Sequence, residues 1–87
     1  MRQTLPEIVT RAPEQLGQAL ERCRRLRDLS QADLGRSAGI RQATVSKMEQ
    51  GVDTTSLRTV YALCAALNLE LVLRPRGGAA YPPEEGA

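Results

Sequence analysis

The chain has 87 residues and a net charge of +2, with 41% hydrophobic and 25% charged residues, the balance of one small globular domain. It contains no histidine, which excludes His-based catalysis and His-containing zinc sites. Two cysteines, Cys23 and Cys64, with no CxxC, are too few for a disulfide scaffold. The longest apolar run, Ala62 to Leu67, falls far short of the ~20 residues of a membrane span, so no membrane partner is expected. No apolar stretch follows Arg2, so no signal peptide is read, and the location expected is the cytoplasm. With Tyr61 and Tyr81 as its aromatics, the chain must build its core from Leu, Val, Ile, Ala and Cys, which suits close-packed helices. A domain of this size buries only ~60% of its unfolded surface, so oligomerisation is expected.

Residues 1–12 read as an N-terminal extension in which Leu5, Ile8 and Val9 can form a short extended piece. Pro13 suits the first position of a helix, where its missing N–H is not needed. Leu16, Ala19, Leu20, Cys23 and Leu26 then make one apolar helical stripe, with Glu21, Arg22, Arg24 and Arg25 expected on the opposite face. Ser30, with Asp33 three residues on, resembles a capping box and opens a second helix, which Gly39 stops within about nine residues. A third helix is predicted from about Arg41 to Gln50, with Ile40, Val45 and Met48 facing inward and Gly51 ending it. Asp53, Thr54 and Thr55 form the next loop and cap. A fourth helix from Ser56 is expected to bury Leu57, Val60, Leu63 or Cys64, and Leu67. From Leu69 to Arg74 the period changes to two, which predicts a strand over 69–74 with Leu69 and Leu73 against the helices. Residues 75–87, rich in Gly, Ala, Pro and Glu, read as a disordered tail, with 13–68 as the helical domain before it.

Charge is unevenly spread. From Arg22 to Arg58, eight basic residues face four acidic ones, a local +4 against −2 for the remainder. That excess suits a phosphate-binding surface, and it equally suits a solvated helix face. No nucleophile-plus-base set and no phosphate-cradling glycine loop occurs, so no enzymatic activity, cofactor or metal is expected.

The stretch from Ser30 to Gly51 resembles the helix-turn-helix of the phage-repressor-like (Cro/C1, or XRE) family. Leu34 in its first helix, Gly39 in the turn, and Val45 and Met48 in its second lock two helices at a steep angle. The N-terminal half of the second helix is left able to enter a major groove. The exposed face expected there is Arg41, Gln42, Ala43, Ser46 and Lys47. Gly35 meets the need for a small residue at the crossing, where Ala is more usual; Gly there costs ~1 kcal/mol of helix stability.

From about Pro13 to Arg74 the chain also resembles the HipB-type antitoxins, in its order of helices, in the run Ile40 to Ser46 and in a lone strand after the last helix. The resemblance implies a mostly α fold of four to five helices with one C-terminal β-strand that pairs across a homodimer through Leu69, Leu71, Val72 and Leu73. It implies repression of the chain's own operon from a palindromic double-stranded DNA operator, at the bacterial nucleoid, and binding of a HipA-type Ser/Thr kinase toxin. By it, Gln42, Ala43 and Ser46, with Arg41 beside them and Lys47, match base-reading positions. Chemically, Gln suits adenine, Arg and Lys suit guanine, and Ala43 can touch a thymine methyl. Gln31, at the start of the motif's first helix, is placed for a phosphate contact, and Arg27 and Thr44 are assigned to phosphates with it. A stand-alone phage-type repressor without a toxin partner is the alternative.

Overall fold

A computed structural model describes residues 4–51 and 56–78. Four helices follow in order: α1 (Pro13–Leu26), α2 (Gln31–Ala38), α3 (Gln42–Gln50) and α4 (Leu57–Ala66), with a short 3-10 turn at Arg76–Gly78. Pro13 does stand in the first turn of α1. The capping box at α2 is complete: the Asp33 amide donates to Ser30 Oγ at 2.9 Å, and the Ser30 amide donates to the Asp33 carboxylate at 3.2 Å. Gly39 and Gly51 end α2 and α3 in the left-handed conformation, with φ of 72° and 67°.

Two other helix ends rely on residues the sequence did not flag. Asp28 and Asn68 take positive φ, 59° and 60°, each two residues after the end of its helix, α1 or α4. Short polar side chains tolerate this conformation better than other non-glycine residues do. Each is followed by a leucine whose amide returns to the helix just ended, Leu29 to the Arg24 carbonyl and Leu69 to that of Cys64. Both leucines pack against the core.

The core comprises Leu20, Cys23, Leu34, Val45, Met48, Val60, Leu63, Cys64 and Leu67, with Leu34 and Val45 fully buried. Helix α3 packs on α1 and α2, and α2 also packs on α4, so α2 and α3 are each held from two sides. The approach of α1 to α3 depends on Gly17. A Cβ there would overlap the backbone carbonyl oxygens of Met48 and Glu49.

Several expectations are corrected. Leu57 is 71% exposed, because it lies on the flank of the α4 stripe at the helix start, where no described residue covers it. Arg24 does not join the solvated face of α1; it is 7% exposed. Residues 69–75 carry no strand, since they find no ladder partner among the described residues. Leu69 packs on the core as expected, whereas Leu73 is fully exposed rather than turned against the helices. In the N-terminal piece Leu5 and Ile8 pack on the core, while Val9 is exposed. Glu7 and Arg74 tie the two terminal segments together at 2.8 Å. Asp53, Thr54, Thr55, residues 1–3 and the tail from 79 onward lie outside the described residues.

Candidate nucleic-acid interface

The turn between α2 and α3 is tight because two glycines make it so. Gly39 supplies the left-handed step, and the Ile40 amide then donates to the Gly35 carbonyl at 2.8 Å. A Cβ on Gly35 would overlap the Ile40 carbonyl oxygen, so the close approach explains Gly where Ala is more usual. Arg41 becomes the N-cap of α3 and the helix begins one residue later than expected, at Gln42. Val45 and Met48 turn inward, which leaves the opposite face to solvent.

On that face Arg41, Gln42, Ala43 and Lys47 are exposed, and Ser46 is half-buried. Gln42, Ser46 and Gln50 follow at four-residue steps, and Gln50 donates to Ser46 Oγ at 3.1 Å. The stripe therefore runs the length of the helix, and Gln50 belongs to it although its residue type carried no separate signal. Among these residues none is acidic; the helix's one carboxylate, Glu49, is 5% exposed and points the other way. The surface combines two cations with amide and hydroxyl groups around a methyl, a mixture able to donate to phosphates and to meet base edges.

Behind this face lies a buried polar cluster that the sequence reading missed. Arg24 of α1 meets Glu49 of α3 through two hydrogen bonds, Nε to Oε2 at 2.6 Å and Nη2 to Oε1 at 2.9 Å. Its Nη1 donates to the Leu29 carbonyl at 2.8 Å. The hydrogen bond to Glu49 raises the Arg24 pKa above its ordinary value, so the guanidinium stays charged in spite of burial. Gln31 of α2 adds a third element, since its Nε2 donates to Glu49 Oε1 at 3.0 Å. Gln42 Nε2 in turn approaches Gln31 Oε1 at 3.4 Å. Gln31 is thus brought beside the start of α3.

The remaining cations are placed less uniformly. Arg27 is half-buried, and its Nε is buried without a hydrogen-bond partner among the described residues. Arg25 pairs with Glu21, Arg36 pairs with Asp33, and Arg22 is exposed. Thr44 is half-buried on the flank of α3. Cys23 and Cys64 are buried free thiols, and burial raises both pKa values, so neither is a poised thiolate. No group of three metal-ligating side chains occurs, and no helix is long and apolar enough to cross a membrane, among the described residues.

The family model described as Helix-turn-helix matches residues 20–73, more than half of the chain. The antitoxin HipB of Escherichia coli O6:H1 is 36% identical over 62 residues, which cover 71% of this chain and 66% of that protein. HipB of E. coli K12 is 34% identical over 62 residues, covering 71% and 70% respectively. The chain thus spans about two thirds of the length of these relatives. Among solved structures, a HipB variant in complex with an O2 20mer superposes with a TM-score of 0.75 at 31% identity, covering 82% of this chain and 99% of that one. HipB in the HipA-HipB-O2-O3 complex gives 0.74 at 30% identity, over 80% and 99%. The restriction-modification controller protein C.AhdI from Aeromonas hydrophila gives 0.63 at 32% identity, over 66% and 83%. On its motif, its fold and these likenesses, the chain belongs to the XRE-type helix-turn-helix family as a HipB-like member.

Proposed function

We propose that this protein is a sequence-specific DNA-binding repressor that also serves as the antitoxin of a HipA-type Ser/Thr kinase, autoregulating its operon from a palindromic operator as a homodimer. The observation that carries the reading is the exposed face of α3, which offers Arg41, Gln42, Ala43 and Lys47 to solvent with no carboxylate among them. Those residues and Ser46 meet base edges in the major groove; Gln31, Arg27 and Thr44 hold the flanking phosphates. The kinase partner is supported by the HipA-HipB-O2-O3 complex among the similar structures. It binds away from α3, so repression and neutralisation coexist. The protein is a cytoplasmic, nucleoid-associated regulator, not an enzyme.

The homodimer reading rests on the segment after α4. Leu71, Val72 and Leu73 are 43%, 69% and 100% exposed, and their backbone groups make no hydrogen bond among the described residues. A second copy of the same segment would cover both the side chains and the edge. Val72→Pro removes a ladder hydrogen bond and leaves monomers in sedimentation; an unchanged dimer mass refutes the ribbon.

The stand-alone repressor remains the second reading, favoured by the likeness to C.AhdI. Affinity capture from the native host with mass spectrometry separates the two. A HipA-type kinase in the captured material supports the first, and capture of the dimer with DNA alone supports the second. The DNA reading is tested by titrating Gln42→Ala on operator and on random duplex at several salt concentrations. Loss of a bidentate base contact costs ~1–3 kcal/mol on the operator alone, with an unchanged salt slope. Equal weakening on both duplexes removes Gln42 from the reading face.

A further inference from the structure

We propose that Cys23 and Cys64 are an oxidisable pair, which a small disulfide of the glutathione class converts to an internal disulfide that joins α1 to α4 and stabilises the fold. The inference does not depend on the reading of α3, and it concerns two side chains to which that reading gives no role.

The chain has two cysteines, and both fold into the same core cluster, where they are 2% and 3% exposed. Both are free thiols. Burial raises the Cys64 pKa, and so does Cys23, which is near enough for its charge to act there. Each cysteine also lies among the last four residues of its helix. The Cys23 carbonyl receives the Arg27 amide at 3.1 Å, and the Cys64 carbonyl receives those of Leu67 and Leu69 at 3.1 and 2.7 Å. Neither helix runs past its residue of positive φ, Asp28 or Asn68. The last turn of a helix opens before its middle, so both thiols sit where local opening reaches the core first.

In the closed fold neither thiol reacts, because burial raises both pKa values. At Cys23 two cations oppose that effect, Arg22 and then Arg27. When the last turn of α1 opens, the effect of burial is lost and the two cations remain. They favour the thiolate and draw an anionic disulfide towards it. Cys23 gives its proton to solvent and attacks one sulfur of the small disulfide, whose other half leaves as a thiolate. Reclosing brings Cys64 against this mixed disulfide. Cys64 loses its proton, attacks the Cys23 sulfur and expels the second small thiolate. Two protein thiols become one disulfide, and one small disulfide becomes two thiols.

Helices α1 and α4 are otherwise joined mainly through α3 and α2, so the new bond ties together the two ends of that series. It closes a loop of about 40 residues. The fold holds the two sulfurs in one cluster, whereas the unfolded chain holds them apart across that loop. Oxidation is therefore easier in the folded chain, and by linkage it stabilises the fold by the same factor.

The test equilibrates the full chain with mixtures of reduced and oxidised glutathione, in native buffer and in concentrated urea. Acid-quenched samples are then weighed without reduction. The expected product is a single chain lighter by two hydrogens, in which the Cys23 and Cys64 peptides are linked. It should form at least roughly tenfold more favourably in buffer than in urea, and its urea midpoint should lie above that of the reduced chain. A pair harder to oxidise in buffer than in urea overturns the proposal. Mixed disulfides or chain-to-chain links in place of the internal bond also overturn it. The point of entry is read from single variants: glutathione should modify Cys23 in Cys64→Ala at least about threefold faster than it modifies Cys64 in Cys23→Ala. The reverse order overturns the assignment of Cys23 as the attacking thiol. If an alanine variant does not fold, the two wild-type equilibria still decide whether the pair closes in the native core.

Discussion

Removing one partner of the Arg24–Glu49 pair should unfold more of the protein than removing both. The side chains of Arg24 and Glu49 are 8% and 3% exposed, so either left alone is a charge out of reach of solvent. Breaking a buried pair from one side costs ~3–5 kcal/mol, and replacing both members by apolar groups of similar volume is often near neutral. Here the double replacement also strips the Leu29 carbonyl and the Gln31 amide of a partner. Both residues are half-buried and within reach of water, which limits that cost to about 1 kcal/mol. A domain of 87 residues is stable by only ~4–13 kcal/mol in total, so either single variant removes a large share of what holds the fold.

The expected series is therefore Arg24→Met and Glu49→Met each destabilised by at least ~3 kcal/mol, and the double variant by about 1. Urea unfolding followed by circular dichroism, at one fixed protein concentration, measures all three and yields the coupling energy. Raising salt to 1 M should leave that coupling largely intact, because buried pairs are screened much less than exposed ones. Single effects that simply add in the double variant would refute the claim that the two charges compensate one another.

Other outcomes follow from particular contacts. Gly17→Val places a branched side chain against the carbonyl oxygens of Met48 and Glu49, and should cost ~2 kcal/mol or more in urea unfolding, against the small gain that replacing a helix-interior glycine ordinarily brings. Leu34→Ala, at a fully buried position, should cost ~2–5 kcal/mol in the same assay. The Asp33 carboxyl is held below its ordinary pKa, first by the Ser30 backbone amide and then by the Ser30 hydroxyl. Its folded pKa lies below the unfolded value, so the contribution is present above the ordinary carboxylate range and lost as pH falls through the folded pKa. Melting temperatures of wild type and Asp33→Asn should differ at neutral pH and converge in acid; a gap that persists in acid refutes the assignment.

The contrast between Val45 and Glu49 shows how far the sequence carried the fold. Val45, Met48 and Leu34 were legible because each obeys the helix period by residue type, and the glycine turn between α2 and α3 was legible because Gly39 solves a local backbone problem. Glu49 obeys the same period, four residues after Val45, and Arg24 stands four after Leu20 and seven after Gly17. Sorting residues into apolar and charged sends both to the solvent face, yet two opposite charges inside two apolar stripes are a signal in their own right. Neither stripe shows it alone, since each charge is tolerable in the core only because the other helix supplies its partner. The segment 69–73 fails for a related reason: alternation specifies an extended backbone, while its partner and its covered face lie outside the pattern. Leu69 was placed correctly because the end of α4 fixes it, and Leu73 was not, because nothing on the described chain reaches it. The exposed side of α3 divides along the same line. Arg41, Gln42, Ala43 and Lys47 could be placed from helix geometry and the motif, whereas the hydrogen bonds that connect Gln42 through Gln31 to the buried pair join residues 11, 18 and 25 positions apart. Period and residue type show which side chains face outward. The orientation of an outward-facing amide is set by its neighbours in space, so it had to come from the fold.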